Sequence, residues 1–151
     1  MLFALDLIIF TSSDCTYQNI TINANGGAFY ASQSSTYSQA ASITSYQDTF
    51  TEIYAGLDTS TGFGGVIYVQ NTNMDITFEE ATSTNVLATT AGFAYITGAS
   101  SLNITNSDFF NNTSQGETQS IVYKSEGVVT LTGNMFQGND TFNKTEIGAY
   151  N

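Results

Sequence analysis

The side chains able to move protons or hold cations are few in this 151-residue chain: two lysines (Lys124 and Lys144), no arginine, no histidine, and 13 Asp plus Glu, for a formal net charge of −11. Without histidine, Ser/His/Asp and Cys/His mechanisms are excluded within the chain. Lys124 directly follows Tyr123 and Lys144 falls in a turn, so both read as solvated surface lysines. Paired carboxylates alone remain as general acid and base. Asp14, Glu80 and Asp108 each stand one residue before what reads as one repeat position, occupied by Cys15, Ala81 and Phe109. Stacked on one edge, such carboxylates repel each other unless a cation lies between them. The position therefore reads either as an acidic edge that takes up Ca²⁺ weakly or as a solvated turn. Cys15 is the only cysteine, so no disulfide can form inside the chain. Its alignment with Phe109 predicts a buried thiol acting as a small hydrophobe. No cofactor is expected, and a chain so poor in cations has nothing to neutralise phosphates, which excludes nucleic acid as a partner. Asn-x-Ser/Thr occurs at Asn19, Asn103, Asn111, Asn112, Asn139 and Asn143 and permits N-glycosylation on a secretory route.

What positions these residues is a repeat. Tyr30, Tyr68, Tyr95, Tyr123 and Tyr150 recur, and the last four keep an almost constant spacing. Their apolar neighbours align as Gly26–Tyr30, Gly64–Tyr68 and Ala91–Tyr95. At a fixed distance before each of the last three tyrosines lies a second alternating segment: Met74–Thr77, Leu102–Thr105 and Val129–Thr132. Alternation of apolar and polar residues marks strands with one buried face. The units, about 27–28 residues long, belong to the size range of stacked repeat architectures. They are too short for crossover helices and rich in Thr, Tyr, Phe, Ile and Val. Parallel stacking of equivalent strands remains, and about five coils of a parallel β-helix are predicted over a single domain, 1–151. The excess length between Tyr30 and Tyr68 predicts an enlarged loop within 44–61. Residues 1–10 read as a first strand or a signal remnant, and no segment reads as a membrane span. Absence of proline agrees with uninterrupted ladders.

The Gly-Gly-Ala-apolar element at Gly26–Phe29, its variant at Gly64–Ile67, and Phe-x-x-Asn at Phe109–Asn112 and Phe136–Asn139 resemble the repeats of polymorphic outer membrane proteins and related surface proteins. That resemblance implies a right-handed parallel β-helix of the pectin-lyase-like class and an extracellular or cell-surface location. Enzymes of that class rely on calcium carboxylates with an arginine or lysine base, or on clustered aspartates with basic and histidine helpers. The expectation here is therefore no enzyme, but a structural and adhesive module of a longer array. The alternative is a degenerate carbohydrate-binding or carbohydrate-active module. In either case a protein or glycan partner would meet an outward row of Tyr68, Tyr95, Tyr123 and Tyr150. Thr77, Thr105 and Thr132 are expected to form a second outward ladder.

Overall fold

The computed structural model describes residues 9–32, 41–56, 62–70, 73–98, 100–115, 122–124 and 127–138. Among the described residues there is no helix, and the chain makes successive passes through three parallel sheets. The first pass is β1 (Ile9–Ser13), β2 (Thr16–Ile22) and β3 (Phe29–Ser32), and the second is β4 (Ala41–Tyr46), β5 (Thr49–Ala55) and β6 (Ile67–Gln70). The third is β7 (Met74–Glu79), β8 (Thr82–Thr84), β9 (Leu87–Ala88) and β10 (Ala94–Ile96). The fourth is β11 (Ser101–Thr105), β12 (Asp108–Phe110), β13 (Thr113–Ser114) and β14 (Val122–Lys124), followed by β15 (Val129–Thr132) and β16 (Met135–Gln137). The first sheet runs β1-β4-β7-β11-β15 and the tyrosine sheet β3-β6-β10-β14, while the remaining strands make the third. Each pass visits the sheets in the same rotation, so every strand pairs with its counterpart one pass away.

Register shows where the repeat is regular. Ile67 pairs with Ala94 and Ala94 with Val122, which keeps the spacing of the tyrosine repeat. Earlier passes are longer: Thr16 pairs with Thr49, and Phe29 reaches as far along the chain as Ile67. Of the range 44–61 in which an enlarged loop is expected, residues 57–61 lie outside the described residues, and most of the rest is strand. Thr44–Tyr46 and Thr49–Ala55 lie in β4 and β5, because their alternating Ile43, Phe50, Ile53 and Ala55 are needed in the core. Of the expected N-terminal strand, Ile9 and Phe10 belong to β1; residues 1–8 lie outside the described residues.

Alternation decides the inside. In β4 and β7 every second residue is buried, and Ile43, Met74, Ile76 and Phe78 join Phe29, Ile67, Phe93, Ile104 and Phe109 in one core drawn from all three sheets. Full burial of an Ile or Phe side chain contributes roughly 1.5–3 kcal/mol. Through the middle runs a chain of rings: Phe50, Phe78, Phe93 and Phe109 meet at centroid distances of 5.9, 4.9 and 4.9 Å, each pair edge to face. That geometry sets the positive ring edge against the negative face and adds about 0.5–1.5 kcal/mol per pair. Gly65 lies where it is pressed by the next pass; a Cβ there would sit 2.1 Å from the Gly92 carbonyl oxygen and 2.4 Å from Val86 Cγ1.

Bends between strands repeat as columns of left-handed residues. Asp14, Gln47, Glu80 and Asn106 all have φ between 50 and 55°, and Gly133 follows at 66°. Each of the first four donates its N–H across to the next pass, at 3.0, 2.9, 3.0 and 2.8 Å. A second column, Asn19, Glu52, Asn85, Asn111 and Gly138, has the same sign of φ. Asn, Asp and glycine tolerate this region best and fill most of the two columns, while Gln47, Glu52 and Glu80 hold it with longer side chains.

Candidate functional site

On the tyrosine sheet, strand alternation buries Phe29, Ile67 and Ala94 together with Ala31, Val69 and Ile96, and so turns Tyr30, Tyr68 and Tyr95 outward. The register brings Tyr30, Tyr68, Tyr95 and Tyr123 into one row across β3, β6, β10 and β14. Tyr30 and Tyr68 stack at 5.2 Å with their planes 21° apart, and Tyr68 and Tyr95 at 5.5 Å and 11°. Tyr150 lies outside the described residues.

The row is not an open platform. Tyr68 retains only 6% of its exposure, whereas Tyr30 and Tyr95 are half-buried. Phe63 closes over it, 4.7 Å from the Tyr95 ring and 6.3 Å from Tyr68. It is held by its own N–H on Asn25 Oδ1 at 3.0 Å and by its carbonyl accepting from the Gly26 N–H. Tyr68 donates its hydroxyl to Gln70 Oε1 at 2.9 Å. Burial, and then the neighbouring phenols of Tyr30 and Tyr95, push the Tyr68 pKa above its ordinary value. Because both faces of Tyr68 are covered, the site offers ring edges and the outer surfaces of Tyr30, Phe63 and Tyr95. Sequence reasoning missed Phe63: it keeps the tyrosine register, bridging to Thr90, but its counterparts Asn25 and Thr90 are polar, so no repeated residue type marks the position.

The acidic edge is rearranged. Asp14 and Glu80 do share a column, but Gln47 stands between them and donates Nε2 to Glu80 Oε2 at 2.7 Å. Asp108 is two residues past the column, opening β12 opposite Thr82 and Met135, while Asn106 occupies the bend. Among the described residues no three His, Cys, Asp or Glu side chains are grouped to hold a metal. The carboxylates do converge on Tyr46, whose pKa is raised, first by Glu80 and then by burial and Glu79. Cys15 also departs from expectation: it is exposed, its thiol donating to the Ser13 carbonyl at 3.3 Å. It shares its position not with Phe109 but with Asp48, which accepts the Cys15 N–H at 2.9 Å.

Asp48 is completely buried, and its second oxygen takes the Ser45 hydroxyl at 2.7 Å. One pass apart, the same arrangement recurs: Ala81 N–H to Ser107 Oγ at 3.0 Å and Ser107 N–H to Asn134 Oδ1 at 2.9 Å. This inward column satisfies backbone donors that the bends leave over.

The threonine ladder is displaced by two residues. Thr77 pairs with Thr44 and Asn103, and Thr105 with Glu79 and Thr132. All three threonines still point away from the core, because a shift of two residues keeps each side chain on its face. Of the glycosylation candidates, Asn19 and Asn111 are exposed and Asn103 is half-buried, whereas Asn112 is completely buried. Asn139 and Asn143 lie outside the described residues, as does Lys144.

Comparisons with protein-family models, with curated proteins and with solved structures found no match. No helix among the described residues is long and apolar enough to cross a membrane.

Proposed function

We propose that this chain is a non-catalytic structural and adhesive module of an extracellular or surface-anchored protein, its three sheets forming the walls of a right-handed parallel β-helix like those of pectin-lyase-like surface proteins. Support for the helix comes from the fixed rotation among sheets and from a core shared by all three. A chain without histidine or arginine is poorly supplied for hydrolysis or elimination, which favours binding over turnover.

The observation that carries the binding reading is the Tyr30–Tyr68–Tyr95 stack with Phe63 laid against it. Rings fixed in this way present contact area with little entropy left to lose. Their mutual stacking also hides the faces that a sugar ring would use, so the partner favoured is a protein surface met by ring edges and hydroxyls. The experiment compares the chain with a Tyr30→Ser/Tyr95→Ser variant in a cell-surface binding assay, alongside a glycan array and circular dichroism. Loss of cell binding with an unchanged β spectrum is the expected result. Binding to a defined glycan would instead assign the carbohydrate-binding alternative, and unchanged cell binding would move adhesion off this face.

A further inference from the structure

The adjacent sequons Asn111-Asn112-Thr113-Ser114 offer two acceptor amides side by side, and the fold treats them oppositely. Asn112 points inward and is completely buried. Its Oδ1 accepts from the Val86 N–H at 3.0 Å and the Ser83 hydroxyl at 3.2 Å, and its Nδ2 donates to the Ser83 carbonyl at 3.2 Å. A sugar on that nitrogen would have to replace the core of the third pass. Asn111 stands in the left-handed bend and is exposed, with one long contact from Nδ2 to Asn85 Oδ1 at 3.4 Å. An N-linked amide keeps one N–H, so this contact survives modification.

Asn19 occupies the equivalent bend in the first pass. The pairing of β2 with β5 runs from Gln18–Thr51 to Ile20–Ile53 and skips Asn19 and Glu52, so the residue is bulged out of the ladder and exposed. Asn103, by contrast, sits mid-strand, half-buried between Thr77 and Thr130, and lacks that freedom. From this we infer that Asn19 and Asn111 are N-glycosylation sites and Asn112 is not. The two glycans would stand in one column of the third sheet, three strand spacings or about 14 Å apart, leaving the tyrosine sheet clear. This rests on the reading of the chain as a secreted surface module.

The chemistry is a glycosyl transfer from a polyprenyl-diphosphate-linked oligosaccharide. Asn Nδ2 bonds to the sugar C1 as the C1–O bond to the diphosphate breaks. The diphosphate leaves with that electron pair, and one amide proton passes to base.

The test is secretion of the full chain from a eukaryotic host behind a heterologous signal, with enzymatic glycan release in heavy-oxygen water and peptide mapping. Mass-tagged aspartate is expected at positions 19 and 111, with Asn19→Gln and Asn111→Gln each removing one glycan from the intact mass. A tag at position 112 of the folded, secreted protein, or no tag at 19 and 111, overturns the inference. The adhesion assay is read separately. A glycosylated chain that fails to bind cells counts against the adhesive reading alone, and an unmodified chain that binds counts against the glycan sites alone.

Discussion

The side-chain amide of Asn106 lies directly over the backbone of Gly133 in the next pass: a Cβ built on Gly133 would come within 2.4 Å of Asn106 Oδ1. Asn111 stands to Gly138 in the same way, at 2.3 Å. At these two places the glycine leaves room for the asparagine amide of the preceding pass.

Gly133→Ala meets two obstacles, the Asn106 amide and a φ of +66°. The backbone part alone costs of order 1–3 kcal/mol. Denaturant melts of Gly133→Ala, Asn106→Ala and the double variant separate the two. The double variant should recover part of the loss but not all of it, because the positive φ remains. Full additivity would show that the amide and the Cβ never compete.

Asp48 does through a carboxylate what Asn134 does through an amide at the same position. Asp48→Asn keeps an acceptor for the Cys15 N–H, and the Ser45 hydroxyl can turn to accept from the new NH₂, so stability should change by less than about 1 kcal/mol. Asp48→Ala leaves those donors without their acceptor and should cost about 1–3 kcal/mol. Equal losses in thermal melts of the two variants would remove the acceptor role.

Tyr68 links the stack to pH. An unfolded tyrosine ionises near pH 10, and burial raises the folded value above that. Between the two values the unfolded chain holds fewer protons than the folded one, so stability is fully present below about pH 10 and falls as pH rises through the folded pKa. Phenolate absorbance should show Tyr68 ionising late, and Tyr68→Phe should flatten the alkaline loss of stability. An alkaline limb identical in the variant would place the sensitivity elsewhere, at Tyr17 or Tyr46, whose phenols are also raised.

Phe93 and Phe136 belong to the same run of rings but differ in setting: Phe93 is completely buried, while Phe136 keeps 37% of its exposure. Phe93→Ala opens a cavity among Phe50, Phe78 and Phe109 and should cost about 3–5 kcal/mol, with Phe136→Ala costing clearly less. Matching urea midpoints would mean that the ring run does not carry the core.

Side-chain parity was legible in the sequence because alternation has a period of two, and an error of two residues in aligning Thr77 with Thr105 leaves every residue on its correct face. The tyrosine register was legible for the same reason, each Tyr being bracketed by core positions such as Phe29 and Ala31. Exposure was not. Tyr68 is covered by Tyr30 and Tyr95 on its two faces and met by the nearby Phe63, and alternation says nothing of how far rings of neighbouring passes shield one another. Cys15 was misaligned because Asp48, a carboxylate, fills an interior position that hydrophobic pattern-matching assigns to an apolar side chain. The bend columns have no such signature, because Asp14, Gln47, Glu80 and Asn106 share a positive φ but not a residue type.

Each strand finds its partner one pass along the chain, a separation that ranges from that of Thr82 and Asp108 to that of Phe29 and Ile67. Loop-closure entropy grows only with the logarithm of such a separation, so laying down the fifth pass imposes nearly the same ordering penalty as laying down the second. Where each unit contacts only its neighbours, folding can nucleate between two passes and propagate from there. Growth by duplication of one pass then leaves the folding barrier almost untouched.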